Sequence, residues 1–300
     1  MNLRYGNAFK AVRKVAKYTL SAMYPMVVRI CPLPKVMSIP ETLEKINSDK
    51  SSIARFGDQE FLYFLDKLNL PFQKYDERLA NMMKEILMSE EPNILVGLPI
   101  GYYSLENLSK RTTRFWRCQI AWVYPRLRKH LRPGKVYANA SMTRLYMDYE
   151  DKSKSGGYFE MVRKIWDGRD VLLLEGEKSR LGVGNTLFDN ATSLQRILGP
   201  AQHAFSRFDD LLASAKQHSK DKLILVAMGP TAKPLAFELA KAGYQAVDIG
   251  NLDIEYEWYL RGATSKVVIP GKYTSEAVGG RNVADINNEK YNAQIIDRKL

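Results

Sequence analysis

The sequence predicts an α/β fold: a Rossmann-like, doubly wound, mostly parallel sheet with helices on both faces. Two observations carry the prediction. Residues 222–259 read as a strand, a helix and a second strand, about the length that a right-handed parallel crossover needs. Short strand patterns recur, alternating at 51–56, apolar at 93–98 and 170–174 and weaker at 135–140, each followed by a helical pattern or a loop of glycine and polar residues. The 300 residues are ample for a sizeable core.

The amino-terminal 40 residues hold Arg4, Lys10, Arg13, Lys14, Lys17, Arg29 and Lys35, and no acid. Phe9, Val12, Ala16 and Leu20 share one helical face. Residues 1–36 therefore read as an amphipathic helix on an anionic membrane surface, or as a solvated basic arm. The stretch 18–30 is too short to span a bilayer and contains Pro25 and Arg29. No compact apolar core leads to a small-residue cleavage site, which argues against a secretory signal.

Residues 51–56 alternate into a strand, and Phe61, Leu62, Phe64, Leu65 and Leu68 mark the helix after it, with Asp58 at its expected N-cap. Strands follow at 93–98 and 135–140. The strand at 170–174 leads into EGEKSRLGVGNTLF, where Gly176, Gly182 and Gly184 loosen the backbone and Glu175, Glu177, Arg180 and Asn185 supply polar groups. The spacing matches neither the dinucleotide fingerprint nor the P-loop, and there is no nucleophile elbow.

Residues 223–228 form a buried strand ending at Gly229, Pro230 and Thr231, ahead of a helix marked by Leu235, Ala236, Leu239 and Ala240. Free N–H groups and the helix dipole make those three residues candidate phosphate neighbours. The next strand, 245–249, leaves Asp248, Asp253, Glu255 and Glu257 near the same edge. Ile295 and Ile296 supply an edge strand at the end.

Cys31 and Cys118 are the only cysteines, which points to a reducing cytosol, and three scattered histidines disfavour a zinc site. The net charge is +12. Part of it lies in residues 110–135, where Phe115, Trp116, Trp122 and Tyr124 interleave with Arg114, Arg117, Arg126, Arg128 and Arg132. Such a run can stack bases or sugars, but more often it is one helix with a core face and a solvated face.

Arg55, Asp58, Glu60, Arg180, Asn185, Gly229, Thr231, Asp248, Asp253 and Glu255 all follow predicted strands. In doubly wound sheets ligands bind beyond the carboxyl ends of the strands, so one site is expected there.

Five blocks, RFGDQE (55–60), TRLYMDYEDKS (143–153), EGEKSRLGVGNTLFDNA (175–191), MGPTAKPLAFELAKAGYQAVDIG (228–250) and DIEYEW (253–258), together resemble the bacterial glycosyltransferases of the GT-D fold. The resemblance covers roughly residues 45–275. It implies transfer of a hexose from a UDP-sugar to a cell-surface glycan, aided by Mn²⁺ or Mg²⁺ held at an acidic DxE motif. With the charge and composition of the ends, the chain is expected to divide into a basic arm (1–40), a catalytic domain (41–280) and a polar carboxyl-terminal segment (281–300) and to work in the cytoplasm at the inner membrane face, with no nucleic-acid partner.

Two DxE candidates exist, Asp58 with Glu60 and Asp253 with Glu255. The second is the expected metal pair, with Asn251 beside it where the family pattern carries histidine. Donor contacts fall to Arg55, Gly57, Asp58, Arg144, Arg180, Gly184, Asn185, Gly229, Pro230, Thr231 and Asp248. Glu257 or Glu60 is the expected general base, with Asp58 also among the catalytic carboxylates. Two other readings compete. Asp248 lies about where a ribose-binding acid falls in other Rossmann enzymes, such as S-adenosylmethionine-dependent methyltransferases. The basic aromatic run alternatively suits a non-catalytic nucleic-acid-binding module.

Overall fold

The structure, a computed structural model, describes residues 7–300, with side chains from Lys14 onward. Arg4, and the side chains of Phe9, Lys10, Val12 and Arg13, therefore lie outside the described residues.

The first half runs α1 (Asn7–Ile30), β1 (Lys35–Val36), α2 (Ile39–Ser48), β2 (Ser52–Arg55), α3 (Asp58–Asp66), α4 (Glu77–Met88), β3 (Ile94–Leu98), α5 (Lys110–Leu127), β4 (Val136–Asn139) and α6 (Ser155–Arg163). The second half runs β5 (Asp170–Gly176), β6 (Ser193–Gly199), α7 (Phe208–Ala215), β7 (Leu223–Ala227), α8 (Ala232–Lys241), β8 (Ala246–Asp248), α9 (Leu252–Leu260), α10 (Glu289–Gln294) and β9 (Ile295–Arg298).

One nine-stranded sheet has the order β1-β4-β3-β2-β8-β7-β5-β6-β9. Every pairing is parallel, more uniform than the mostly parallel sheet expected. The chain steps outward from β2 through β3 to β4, crosses to β5 and β6, then fills the gap with β7 and β8. The carboxyl ends of β2, β8, β7 and β5 thus meet mid-edge, where winding reverses. Leu172, Leu173, Leu174 and residues 223–226 are fully buried, as strands covered on both faces require.

One local expectation needs correcting, and two elements are additions to the sequence reading. The N-cap of α3 is Gly57, and Asp58 is the first helical residue. Glu60 does the capping: its Oε2 accepts from Gly57 N at 3.0 Å. The acidic stretch after β8 is the buried helix α9. Strand β6 had no apolar signature, because Gln195 and Arg196 interrupt it. Arg196 is nevertheless buried, paired with Glu175 on β5 and donating to Leu181 O at 2.9 Å.

The basic aromatic run divides as one helix with two faces. Trp116 and Tyr124 are core, whereas Phe115 and Trp122 are exposed. α1 lies alongside, with Arg114 over the Tyr18 ring and Tyr124 Oη donating to Pro32 O at 2.6 Å. Among the described residues no helix is long and apolar enough to cross a membrane.

Candidate active site

The middle of the carboxyl edge is tied together by buried charges. Arg55, at the end of β2, reaches across to β8: its Nε donates to Asp248 O at 2.6 Å and its Nη2 to Asp248 Oδ1 at 2.9 Å. Its Nη1 donates to Ala140 O at 2.8 Å and to Thr143 Oγ1 at 2.5 Å. Gly250 makes room for this. Its φ is +43°, and a Cβ there would lie 2.1 Å from Arg55 Nη2.

Lys233, in the first turn of α8, donates to Glu60 Oε1 at 2.7 Å and lies 3.8 Å from Asp248 Oδ2. Burial opposes the charge on Glu60, but Lys233 and the backbone donors outweigh it and hold the carboxyl below its ordinary range. Arg55, Asp248, Lys233 and Glu60 therefore form one chain of alternating charges, and Asp248 is already engaged rather than open to a ribose.

α9 presents acids on two faces, because residues four apart align on a helix and residues two apart do not. Asp253 and Glu257 share one face. Asp253 Oδ1 accepts from Gly182 N and Asn185 Nδ2, both at 2.8 Å, and Asn185 Nδ2 also reaches Glu257 Oε1 at 2.8 Å. The buried Lys272 ammonium completes the cluster, 2.7 Å from Asp253 Oδ2 and 3.0 Å from Glu257 Oε1. Burial resists the charge on Glu257, and Lys272, Asn185 and Arg261 overcome it, so its pKa is lowered.

Asn251 and Glu255 occupy the other face. Glu255 Oε2 accepts from Tyr146 N at 3.1 Å and Met147 N at 3.0 Å, while Oε1 is buried without a partner. Burial pushes the Glu255 carboxyl up to about 7, with Asp148 adding to the rise and Arg144 opposing it. Asn251 Nδ2 donates to Glu276 Oε1, which also pairs with Arg144 Nη2 at 2.7 Å. Asp58 feels the same Arg144–Glu276 pair; burial and Glu60 raise its pKa to about 6 against the pull of Arg144.

Beside these clusters a cleft opens over the ends of β5, β6, β7 and β8. Gly176, Met228, Gly229, Pro230, Gly250, Asn251 and Asp253 line it, with Phe72 and Gln73 from the α3–α4 connection and Tyr273 and Ser275 from the carboxyl-terminal segment. Gly229 has φ +55°, and a Cβ there would sit 3.1 Å from Phe72. Thr231 Oγ1, just before α8, is buried without a partner.

The sheet edge thus gathers Arg55, Asp58, Glu60, Arg144, Asn185, Gly229, Pro230, Asp248, Asn251, Asp253, Glu255 and Glu257. It does not gather them around one point, and the expected metal pair of Asp253 and Glu255 is split between the faces of α9. Arg180 does not turn to the cleft: at φ +51° its Nη1 donates to Gly271 O at 2.8 Å and Ala284 O at 2.9 Å. Gly57 is the N-cap of α3, and Gly184 has φ +78° with open space around it.

Sequence reasoning missed Lys233, Lys272, Glu276 and Phe72. Lys233 carried a signal, since it interrupts the buried stripe of α8. Lys272, Glu276 and Phe72 lie in segments without periodicity and left none.

A parallel sheet with a cleft and charged groups at its carboxyl edge defines a Rossmann-like α/β enzyme class that binds its ligand there. Residues 53–277 match the glycosyltransferase GT-D fold family, and the chain belongs to that family. It is 38% identical over 267 residues to Glycosyltransferase GlyD of Streptococcus pneumoniae serotype 4 (strain ATCC BAA-334 / TIGR4), covering 89% of this chain and 33% of that protein. It is 34% identical over 264 residues to the Probable glycosyl transferase Gly of Streptococcus gordonii, covering 87% of this chain and 38% of that one. The chain thus spans about a third of the length of these curated relatives. Among solved structures, it is similar to the domain of unknown function 1792 described as having a distinct glycosyltransferase fold, with TM-score 0.83, 34% identity, and coverage of 95% of this chain and 99% of that one. A glycosyltransferase of Streptococcus sanguinis gives TM-score 0.84 at 33% identity, covering 89% of this chain and all of that one.

Proposed function

We propose that this chain transfers a hexose from a UDP-sugar to a hydroxyl of a cell-surface glycan, in the cytoplasm at the inner membrane face. One observation carries the reading. The cleft is bordered by Gly229 and Pro230, ahead of the α8 N-terminus, and by Asn251, which opens the α9 face that carries Glu255, so groups that favour phosphate and an oxygen that favours a cation share one cavity.

A divalent cation fits only part of the acidic set. Asp253 is saturated by Gly182 N, Asn185 and Lys272, and among the described residues no three His, Cys, Asp or Glu side chains converge on a point. Glu255 Oε1 lacks a partner and shares its helix face with Asn251. These two would hold Mn²⁺ or Mg²⁺, which commonly take one or two protein oxygens and complete their shell with phosphate and water. Bound there, the ion would neutralise charge developing on the leaving diphosphate.

For the general base, Glu60 and Glu257 are poor choices, because each is ion-paired and held ionised by a lysine. Asp58 suits it better: it is partly exposed and its pKa lies near 6, close to the working range of a base. The Asp248–Arg55 pair removes the motive for the methyltransferase reading. Thermal shift with UDP, GDP and S-adenosylmethionine, followed by turnover with a panel of UDP-sugars, tests the proposal. Stabilisation by UDP with release of UDP from one sugar donor supports it; stabilisation by S-adenosylmethionine alone refutes it.

A further inference from the structure

We infer that the surface formed by α1 and α5 docks on an anionic lipid bilayer, with α5 supplying half of the contact. This goes beyond the transfer reaction and does not depend on it. Neither helix contains an acid. On α1, Val15, Met23, Met26 and Ile30 are exposed, Met26 at 52% and Ile30 at 68%. On α5, Phe115 is 43% exposed and Trp122 50%, one above the other at a spacing of seven residues.

These apolar groups are interleaved with exposed Lys14, Lys17, Arg29, Lys110 and Arg111. Apolar and indole groups among cations are the composition of a helix lying in the headgroup layer, where the tips insert and the cations meet lipid phosphates. Asp66, from α3, is neutralised by Arg126, whose guanidinium also covers the Trp122 ring at 5.3 Å.

The two helices hold each other in place. Arg114 sits 4.6 Å from the centre of the Tyr18 ring and Arg117 5.8 Å from that of Tyr24, and Arg128 reaches Cys31 farther along. Those pairings run in register, so the helices are parallel. Each leads into a strand, α1 into β1 and α5 into β4, so their amino-terminal ends lie toward the carboxyl edge of the sheet that carries the cleft. A bilayer on this surface therefore borders the edge where a membrane-borne acceptor would arrive.

Charge selects this occupant over two others. A second copy would bring the same strongly cationic surface against itself, and like charges would repel. Nucleic acid would meet the cations and stack on Phe115 and Trp122, but it would leave the exposed aliphatic Val15, Met23, Met26 and Ile30 of α1 in water, whereas a bilayer takes up both sets.

The test is co-sedimentation of the full chain with vesicles of phosphatidylcholine alone and of phosphatidylcholine with about 30% phosphatidylglycerol, at about 0.1 M salt. Trp122→Glu and Met26→Glu probe the two helices separately at exposed positions, and an unchanged melting temperature of each, measured without nucleotide, reports an intact fold. Sedimentation with the anionic vesicles only, weakened about tenfold by either variant and by added salt, is the expected result. The inference is overturned if anionic vesicles fail to bind the wild type, or if both variants bind as well as the wild type. It is equally overturned if Trp122→Glu converts a dimer to a monomer, or if the chain binds single-stranded RNA but no vesicle.

Discussion

Replacing Gly250 by alanine puts the charged network under β2 and β8 to its sharpest test. Gly250 has φ +43°, and a Cβ there would meet Arg55 Nη2 at 2.1 Å. Arg55 cannot simply swing away, because its Nε and Nη1 are held by Asp248 O, Ala140 O and Thr143 Oγ1. Forcing an L-residue into this backbone region costs about 1 kcal/mol. Displacing the guanidinium leaves the buried Asp248 without its main partner, and losing one member of a buried pair costs about 3–5 kcal/mol, of which Lys233 at 3.8 Å recovers part. The expected total is about 3–5 kcal/mol.

Gly184→Ala is the control. Gly184 has φ +78°, and a Cβ added there would meet nothing within 4 Å, so only the backbone strain of about 1 kcal/mol applies. At about 2–4 °C per kcal/mol for a domain of this size, melting should fall by about 3 °C for Gly184→Ala and by about 9–15 °C for Gly250→Ala. Equal melting temperatures for the two variants would refute the reasoning.

Asp58→Asn should lower kcat by about 10²–10⁴ while leaving UDP affinity within about twofold, measured by turnover and calorimetry. With the Asp58 pKa near 6, wild-type kcat/KM should rise with pH and level off above about 6, because the base acts only when deprotonated. Arg180→Ala should speed proteolysis of residues 271–285, where it holds the carbonyls of Gly271 and Ala284, and weaken UDP binding, because Tyr273 and Ser275 of that segment line the cleft. Glu276 has a folded pKa of about 2 against an ordinary 4.5, because Arg144 and Lys266 outweigh the burial that opposes its charge. A depressed carboxylate stabilises the fold above its unfolded pKa, and that contribution is lost as pH falls from about 4.5 toward 2. Glu276→Gln should flatten this acid limb of the melting curve.

Strands β2, β3, β5, β7 and β8 were legible because each is a short apolar run that both sheet faces bury. β6 was not, since Arg196 sits inside it and is tolerated only through Glu175, a partner 21 residues earlier that no local pattern indicates. The site followed the same rule. Gly229, Pro230 and the acids of α9 follow strands and were found by position. Lys233 and Lys272 act through contacts made across the fold, and they decide which carboxylates remain open. Helical phase decides the rest: the order of residues in a DxE motif does not show that a helix turns Asp253 and Glu255 to different faces.

The most direct measurement is the crystal structure of the chain with UDP. The nucleotide is expected in the cleft between Phe72 and α9, with its diphosphate against residues 229–231 ahead of α8. UDP bound elsewhere on the molecule, or no UDP at saturating concentration, would contradict the proposed donor site.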